Sequence, residues 1–250
     1  MPAHLLLPGC CGRIRSLLVN QQVSLSGTRY DMVEPLVAAA RGATREPRQP
    51  RRSQTERRAE SDGRILNAAM KLIARDGAAR TSLADIGIAA GYSRGLPAER
   101  FGTKVRLLTM LVDSMDAWFA VRVQAALEGK RGLDAVLARA AAHLDGAISS
   151  PVATMALHSL YVEAVSVIPE LRPHMAALSE GYRQAFVGHL REGQRLGQVR
   201  RDINCNHQAS IIIGALRGLT HQAFINNATT NLRTAGPSLL KTLNEALRAR

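Results

Sequence analysis

The stretch TSLADIGIAAGYSRGLPAERFGTK, residues 81–104, decides how the rest of the chain is read. Ser82 and Asp85, three residues apart, have the spacing of a capping box, in which each side chain accepts the other residue's backbone N–H at a helix start. Leu83, Ile86 and Ala90 then share one helical face at i, i+3 and i+7. Gly91 stands where a helix ends in a left-handed residue, a conformation glycine adopts without a Cβ penalty. Ser93 is a candidate cap for a second, short helix that carries Arg94, Arg100 and then Lys104. Leu96 and Phe101 can anchor that helix to the first. A helix, a tight turn and a short basic helix is the helix-turn-helix plan. Its second helix enters the major groove of a duplex, and its first crosses the backbone. A helical hairpin inside an ordinary core has the same outline, so the flanks must separate the two readings.

Upstream lies RILNAAMKLIARDGAARTS, 64–82, and downstream FGTKVRLLTMLV, 101–112. The run from Arg64 to Val112 resembles the DNA-binding domain of the tetracycline-repressor (TetR) family. The matching positions are Ile65-Leu66, Ala68-Ala69, Gly77, Thr81-Ser82, Asp85-Ile86, Ala90-Gly91, Ser93, Gly95, Phe101, Lys104 and Leu107-Leu108. The chain departs from the family in three places. Gly87 stands where the family usually has Ala. Ala98-Glu99-Arg100-Phe101 replaces a usual Tyr-x-His-Phe run. Pro97 sits inside the short helix. With Ser93 as cap, Pro97 falls just beyond the first turn and removes about one hydrogen bond. A start one or two residues later makes it harmless.

The resemblance implies an all-α fold: a three-helix DNA-binding domain with a helix-turn-helix at 53–103, then a helical effector-binding and dimerisation domain at 104–250. It implies a homodimer on a double-stranded DNA operator. Arg94 and Leu96 are the candidates for base contact. Ser82, Arg100, Lys104 and the N–H groups opening the first helix of the motif are the candidates for phosphate. The implied effector is a small, mainly hydrophobic molecule that releases a repressor by moving the helix after Thr103. Candidate pocket residues are Met115, Trp118, Phe119, His158, Tyr161, Tyr182 and Phe186. Each is equally a candidate for plain core packing. Ile212, Ala215, Leu216, Leu219 and Phe224, with Leu239, Leu243 and Leu247, give two apolar faces for a two-fold contact, unless the monomer buries them.

Composition agrees with this outline. With 46% hydrophobic and 4% aromatic residues, the chain has a core and favours helices over sheets. The formal charge is +13, a field that attracts polyanions. Up to Lys104 there are 17 Lys and Arg against 9 Asp and Glu, and 16 against 11 beyond it, so the excess leans toward the candidate DNA-binding part. The three cysteines, adjacent Cys10 and Cys11 and distant Cys205, make no ligand spacing and fit a reducing, cytoplasmic setting. No cofactor, metal site or membrane span is expected, and no basic segment precedes the Leu5–Leu7 run as in a signal peptide. The seven histidines are scattered, and no nucleophile, base and phosphate loop come together, so the chain does not read as an enzyme.

Residues 1–52 read as a disordered basic extension, punctuated by Pro2, Pro8, Pro35, Pro47 and Pro50. Translation from Met32 would remove much of it. Helix 1 is expected over 55–75, ended by Gly77. A helix over 103–127 follows, then helical stripes around Leu133–Leu144, from Pro151 to Pro169, over Met175–Leu190 and over 207–226. Pro237 is expected to open the last helix. A second reading stays open: a helical dimeric interaction protein whose degenerate motif binds DNA only non-specifically.

Overall fold

The computed structural model describes residues 53–249, and within them every regular element is helical. The N-terminal extension expected over 1–52, with Cys10, Cys11 and Met32, lies outside the described residues.

Helix α1 (Gln54–Asp76) opens on a capping box between Ser53 and Glu56 and closes at Gly77, whose φ of +84° lies in glycine's territory. Helix α2 (Leu83–Ala89) opens on the anticipated Ser82–Asp85 capping box. It turns at Gly91, φ +78°. Helix α3 (Leu96–Phe101) then begins two residues later than a Ser93 cap requires. Its cap is Gly95, without a side-chain hydrogen bond, while the Ser93 carbonyl accepts from the Leu96 N–H at 3.2 Å. Pro97 therefore lies in the first turn, where its missing N–H leaves no partner unsatisfied.

Helix α4 (Lys104–Leu127) is capped by the Thr103 hydroxyl. It leads into α5 (Gly132–Ser149), α6 (Pro151–Ser166), a 3₁₀ turn (Pro169–Leu171), α7 (Arg172–Arg195), α8 (Cys205–Ile225) and α9 (Leu232–Leu247). Pro237 does not open α9. The Asn231 side chain accepts from the Arg233 N–H and starts the helix five residues earlier, at Leu232. Gly236, one turn in, packs closely on α5: a Cβ there would sit 3.2 Å from Leu144 Cδ1. Pro237 is exposed in the helix interior, where it costs one ladder bond.

Two apolar cores form. The first joins Ile65, Ile73, Ile86 and Phe101 of the three N-terminal helices to Leu107–Met115 of α4, Ala153–Ala164 of α6 and Leu171 and Met175 beyond it. The second joins α5, α7, α8 and α9 through residues such as Leu133, Phe186, Leu190, Ile212 and Leu247. The apolar packing of the three N-terminal helices thus continues past residue 103 into α4 and α6. No single helix among the described residues is long and apolar enough to cross a membrane.

Candidate DNA-reading surface and the cavity beside it

The turn between α2 and α3 is unusually close, and two sequence departures explain each other there. A Cβ on Gly87 would sit 2.5 Å from the Ser93 carbonyl oxygen and 3.1 Å from Cδ of Pro97. Glycine lets the turn close, and the proline ring packs against the space it leaves. The Tyr92 N–H donates to the Gly87 carbonyl at 2.9 Å and locks the approach.

Outward from this turn, Ser93, Arg94, Gly95, Ala98 and Glu99 are exposed. Arg94 stands at the entrance to α3, and its charge helps, after two hydrogen bonds from Ser82, to hold the Asp85 carboxyl below its ordinary pKa. Leu96 is half-buried and packs on the first core, so it anchors α3 more than it projects from it. Ser82 donates its hydroxyl to Asp85 Oδ2 at 2.5 Å, and that carboxylate also occupies the positive end of α2. A phosphate there would meet a negative charge. Arg100 does not face outward. Its Nε and Nη2 donate to Asp62 Oδ1 at 2.9 and 2.7 Å, its Nη2 also donates to the Arg58 carbonyl, and its side chain is 12% exposed. It ties the end of α3 to the start of α1. Glu99 was missed in the sequence, although an exposed carboxylate on such a helix can accept from cytosine N4.

Lys104 and a residue from the far half of the molecule hold the α1–α2 turn from two sides. The Lys104 ammonium donates to the Ala79 carbonyl at 3.1 Å. Glu163, near the end of α6, accepts the Ala78 N–H at 2.8 Å, the Ala79 N–H at 2.5 Å and the Ser159 hydroxyl at 2.6 Å. Gly77 permits this, since a Cβ there would lie 2.8 Å from Glu163 Oε1. Nothing local in the sequence marks a partner 84 residues away.

A cavity of about 100 Å³ lies in the seam between the two cores, walled by α4, α5, α6, α7 and α8. Met115, Trp118, Phe119, His158, Tyr161 and Tyr182 line it, together with Asp116, His143 and Arg217. Phe186 does not reach it. It is fully buried in the second core, where the His143 ring lies 5.8 Å from it. A neighbouring cavity of about 160 Å³ shares Asp116, Phe119 and Tyr182 and adds Arg139. Burial pushes His143 and His158 down to about 4, so both rings are neutral at pH 7. The Tyr182 hydroxyl donates to Asp116 at 2.8 Å, and burial raises both groups above their ordinary pKa.

Four of the eight residues expected at a two-fold contact are taken up by the monomer. Ile212, Leu216, Leu243 and Leu247 are buried in the second core. Apolar periodicity could not tell a face turned inward from one turned outward. Ala215, Leu219, Phe224 and Leu239 remain partly exposed. The outer side of α8 instead presents Ile211 and Ile225, 59% and 73% exposed, with Gly214 and Gly218 between them.

No curated protein matches the sequence. Residues 65–110 match the family model described as "Bacterial regulatory proteins, tetR family". A TetR transcriptional regulator from Chloroflexus aurantiacus J-10-FL superposes with a TM-score of 0.69 at 22% identity, over 78% of this chain and 99% of that one. The regulator FadR from Bacillus subtilis, solved with stearoyl-CoA, gives 0.65 at 19% identity, over 73% and 97%. The ketosteroid regulator KstR2 of Mycobacterium tuberculosis gives 0.60 at 15%, over 76% and 95%. At these identities the solved structures establish a shared fold, and the family model adds a match over the N-terminal helices. Residues 65–110 therefore resemble the helix-turn-helix of tetR-family regulators, here closed at Gly91, and the described chain shares the all-helical fold of the solved regulators, with a cavity in its seam.

Proposed function

We propose that the protein is a repressor that binds its operator as a two-fold dimer and leaves it when a small, mainly apolar ligand enters the seam cavity. The observation that carries this reading is the position of the cavity. Its walls include α4 and α6, the two helices whose ends hold the α1–α2 turn through Lys104 and Glu163. Ligand pockets generally measure roughly 300–1,000 Å³, well above the 100 Å³ available here. A ligand of ordinary size therefore parts α4 from α6 and shifts the turn that orients α2 and α3. Ligand and operator then favour different arrangements of the same helices, the requirement for one to expel the other.

The two recognition helices would enter successive major grooves, roughly 34–36 Å apart. Arg94 would read guanine and Glu99 cytosine, while Arg58 and Arg106, both exposed, would meet phosphate. The dimer would form on the outer stripe of α8, Ile211, Gly214, Ala215, Gly218 and Ile225, where the small residues let two helices approach closely. A DNA operator also implies a cytoplasmic site of action.

The test is binding of the purified protein to its own upstream promoter DNA, against a scrambled duplex of equal length at physiological salt. The expected result is a complex specific to the promoter, weakened about 5- to 150-fold by Arg94→Ala, the equivalent of roughly 1–3 kcal/mol. Equal binding to both duplexes, unaffected by Arg94→Ala, would favour the interaction-protein reading.

A further inference from the structure

The cavity is apolar over most of its wall, yet one charge in it has no counter-charge. Arg217, on α8, lies with its guanidinium 4.2 Å above the ring of Tyr161. Its one hydrogen bond is from Nη2 to the Ser179 hydroxyl at 3.3 Å, and no carboxylate pairs with it among the described residues. Guanidinium carries five N–H donors, so most of them are unused. Beside it, the Tyr161 hydroxyl is buried with no hydrogen-bond partner, and so is the Ser150 hydroxyl, which also faces the cavity. A buried polar atom without a partner costs roughly 1–3 kcal/mol. These two hydroxyls and the spare donors of Arg217, around one small space, describe a site missing an acceptor.

The other charged groups decide the sign of that acceptor. Asp116 on α4 already accepts from Tyr182, and burial disfavours its charged form. His143 on α5 and His158 on α6 are neutral at pH 7, each pushed down by burial and further by Arg217. Arg139 on α5 adds a second cation from the neighbouring cavity. A cationic ligand would also need a free aromatic face. Arg217 covers Tyr161, and Arg122 covers Trp118 at 5.0 Å. The field in the cavity is positive, and two of its rings, Tyr161 and Trp118, already carry a guanidinium of the protein itself.

Building on the ligand-release reading above, we infer that the effector is an apolar monocarboxylic acid whose carboxylate is held by the Arg217 guanidinium and the Tyr161 hydroxyl, with its hydrocarbon body in the seam between the cores. An Arg–carboxylate pair is the strong form of hydrogen bond and can be made at two points. The acid would satisfy groups that the empty protein leaves unpaired. A neutral ligand of the same shape would fill the seam without satisfying them.

Trp118 is the chain's one tryptophan and lines the cavity, so its emission reports occupancy directly. The intact protein is titrated at pH 7 with phenylacetate, 4-phenylbutyrate and decanoate. Each is compared with the neutral amide and the cationic amine of the same carbon skeleton. The expected result is that at least one acid binds at least tenfold more tightly than its amide, and that its amine binds more weakly still. Arg217→Met should remove the preference for acid over amide while leaving amide binding within about twofold. Arg217→Lys should restore part of the preference. Tyr161→Phe, which keeps the ring, should weaken only the acid, by several-fold. Acid and amide binding alike, an amine binding best, or an acid preference that survives Arg217→Met would overturn the inference while leaving the cavity as a ligand site. No change in Trp118 emission with any of the nine compounds, and no shift in Tm, would sink the ligand reading of the cavity and this inference with it.

Discussion

The two cores of this molecule differ in what they hold together. The first spans the DNA-reading helices and both helices, α4 and α6, that wall the cavity on that side. The second holds only α5 and α7–α9, and its aromatic members Phe186 and Tyr182 sit against the neutral His143. The seam between the cores is where packing is incomplete. On the proposed reading a ligand would enter between the two cores, and the first core would carry any movement of α4 or α6 to α1–α3. The boundary expected at residue 103 marks the end of the motif, and the apolar packing of the first core continues across it.

Unequal injury to the two cores puts this comparison to its hardest test. Phe101→Ala and Phe186→Ala each remove a fully buried ring, at a cost of roughly 3–5 kcal/mol. In Phe186→Ala, amide exchange should accelerate more in α5 and α7–α9 than in α1, and Phe101→Ala should do the reverse. Uniform acceleration in both would make the cores one cooperative unit.

Acid should act on both sides of the seam, through His143 against the second core and His158 on α6. His143 titrates near 4 in the folded protein and near 6.5 when unfolded. Between those values the unfolded chain binds more protons, so stability is lost as pH falls from 6.5 to 4, by roughly 3 kcal/mol for this residue. Urea unfolding at pH 7, 5.5 and 4 should show that loss, and His143→Phe should make it shallower while the part due to His158 persists. An equally steep slope in the variant would place the acid sensitivity elsewhere.

Glu163→Gln tests the link rather than either core. The amide keeps the shape but removes the charge that accepts two backbone N–H groups, and hydrogen bonds to a charged acceptor are worth roughly 1.5–3 kcal/mol. Exchange at Ala78 and Ala79 should speed up by tenfold or more, with α8 unchanged. The smallest effect is expected at the turn itself. Gly87→Ala forces a methyl group against the Ser93 carbonyl and should cost about 1–3 kcal/mol in denaturant unfolding. Gly87→Ala combined with Pro97→Ala should recover part of that, since the ring is only one of the two obstacles.

The motif was legible because its signals are local. Ser82 and Asp85 cap within three residues, and Gly91 needs a positive φ at one position. Six of the cavity's residues were legible for a simpler reason: large side chains on the helical stripes of this domain face inward, and the seam is inward. What the sequence hid depends on distance or on direction. Arg100 looked like a phosphate contact until Asp62, 38 residues away, claimed its guanidinium. Glu163 looked like any surface carboxylate. Ile212 and Leu247 have the periodicity of an interface, and a monomer core uses the same periodicity. Arg217 sat among apolar residues with nothing to show that its charge would stay unpaired.

The close turn at Gly87 has a consequence for anyone exchanging parts between regulators. Recognition helices invite transplantation as cassettes, cut between the two helices of the motif. Here that cut would separate Gly87 from Pro97, two residues shaped to one another across it. A helix bearing Pro97 grafted behind the family's usual alanine would arrive tilted, however well its outward residues were chosen. The unit that can be moved between frameworks is residues 87–97 and whatever follows, with the glycine travelling alongside the helix it admits.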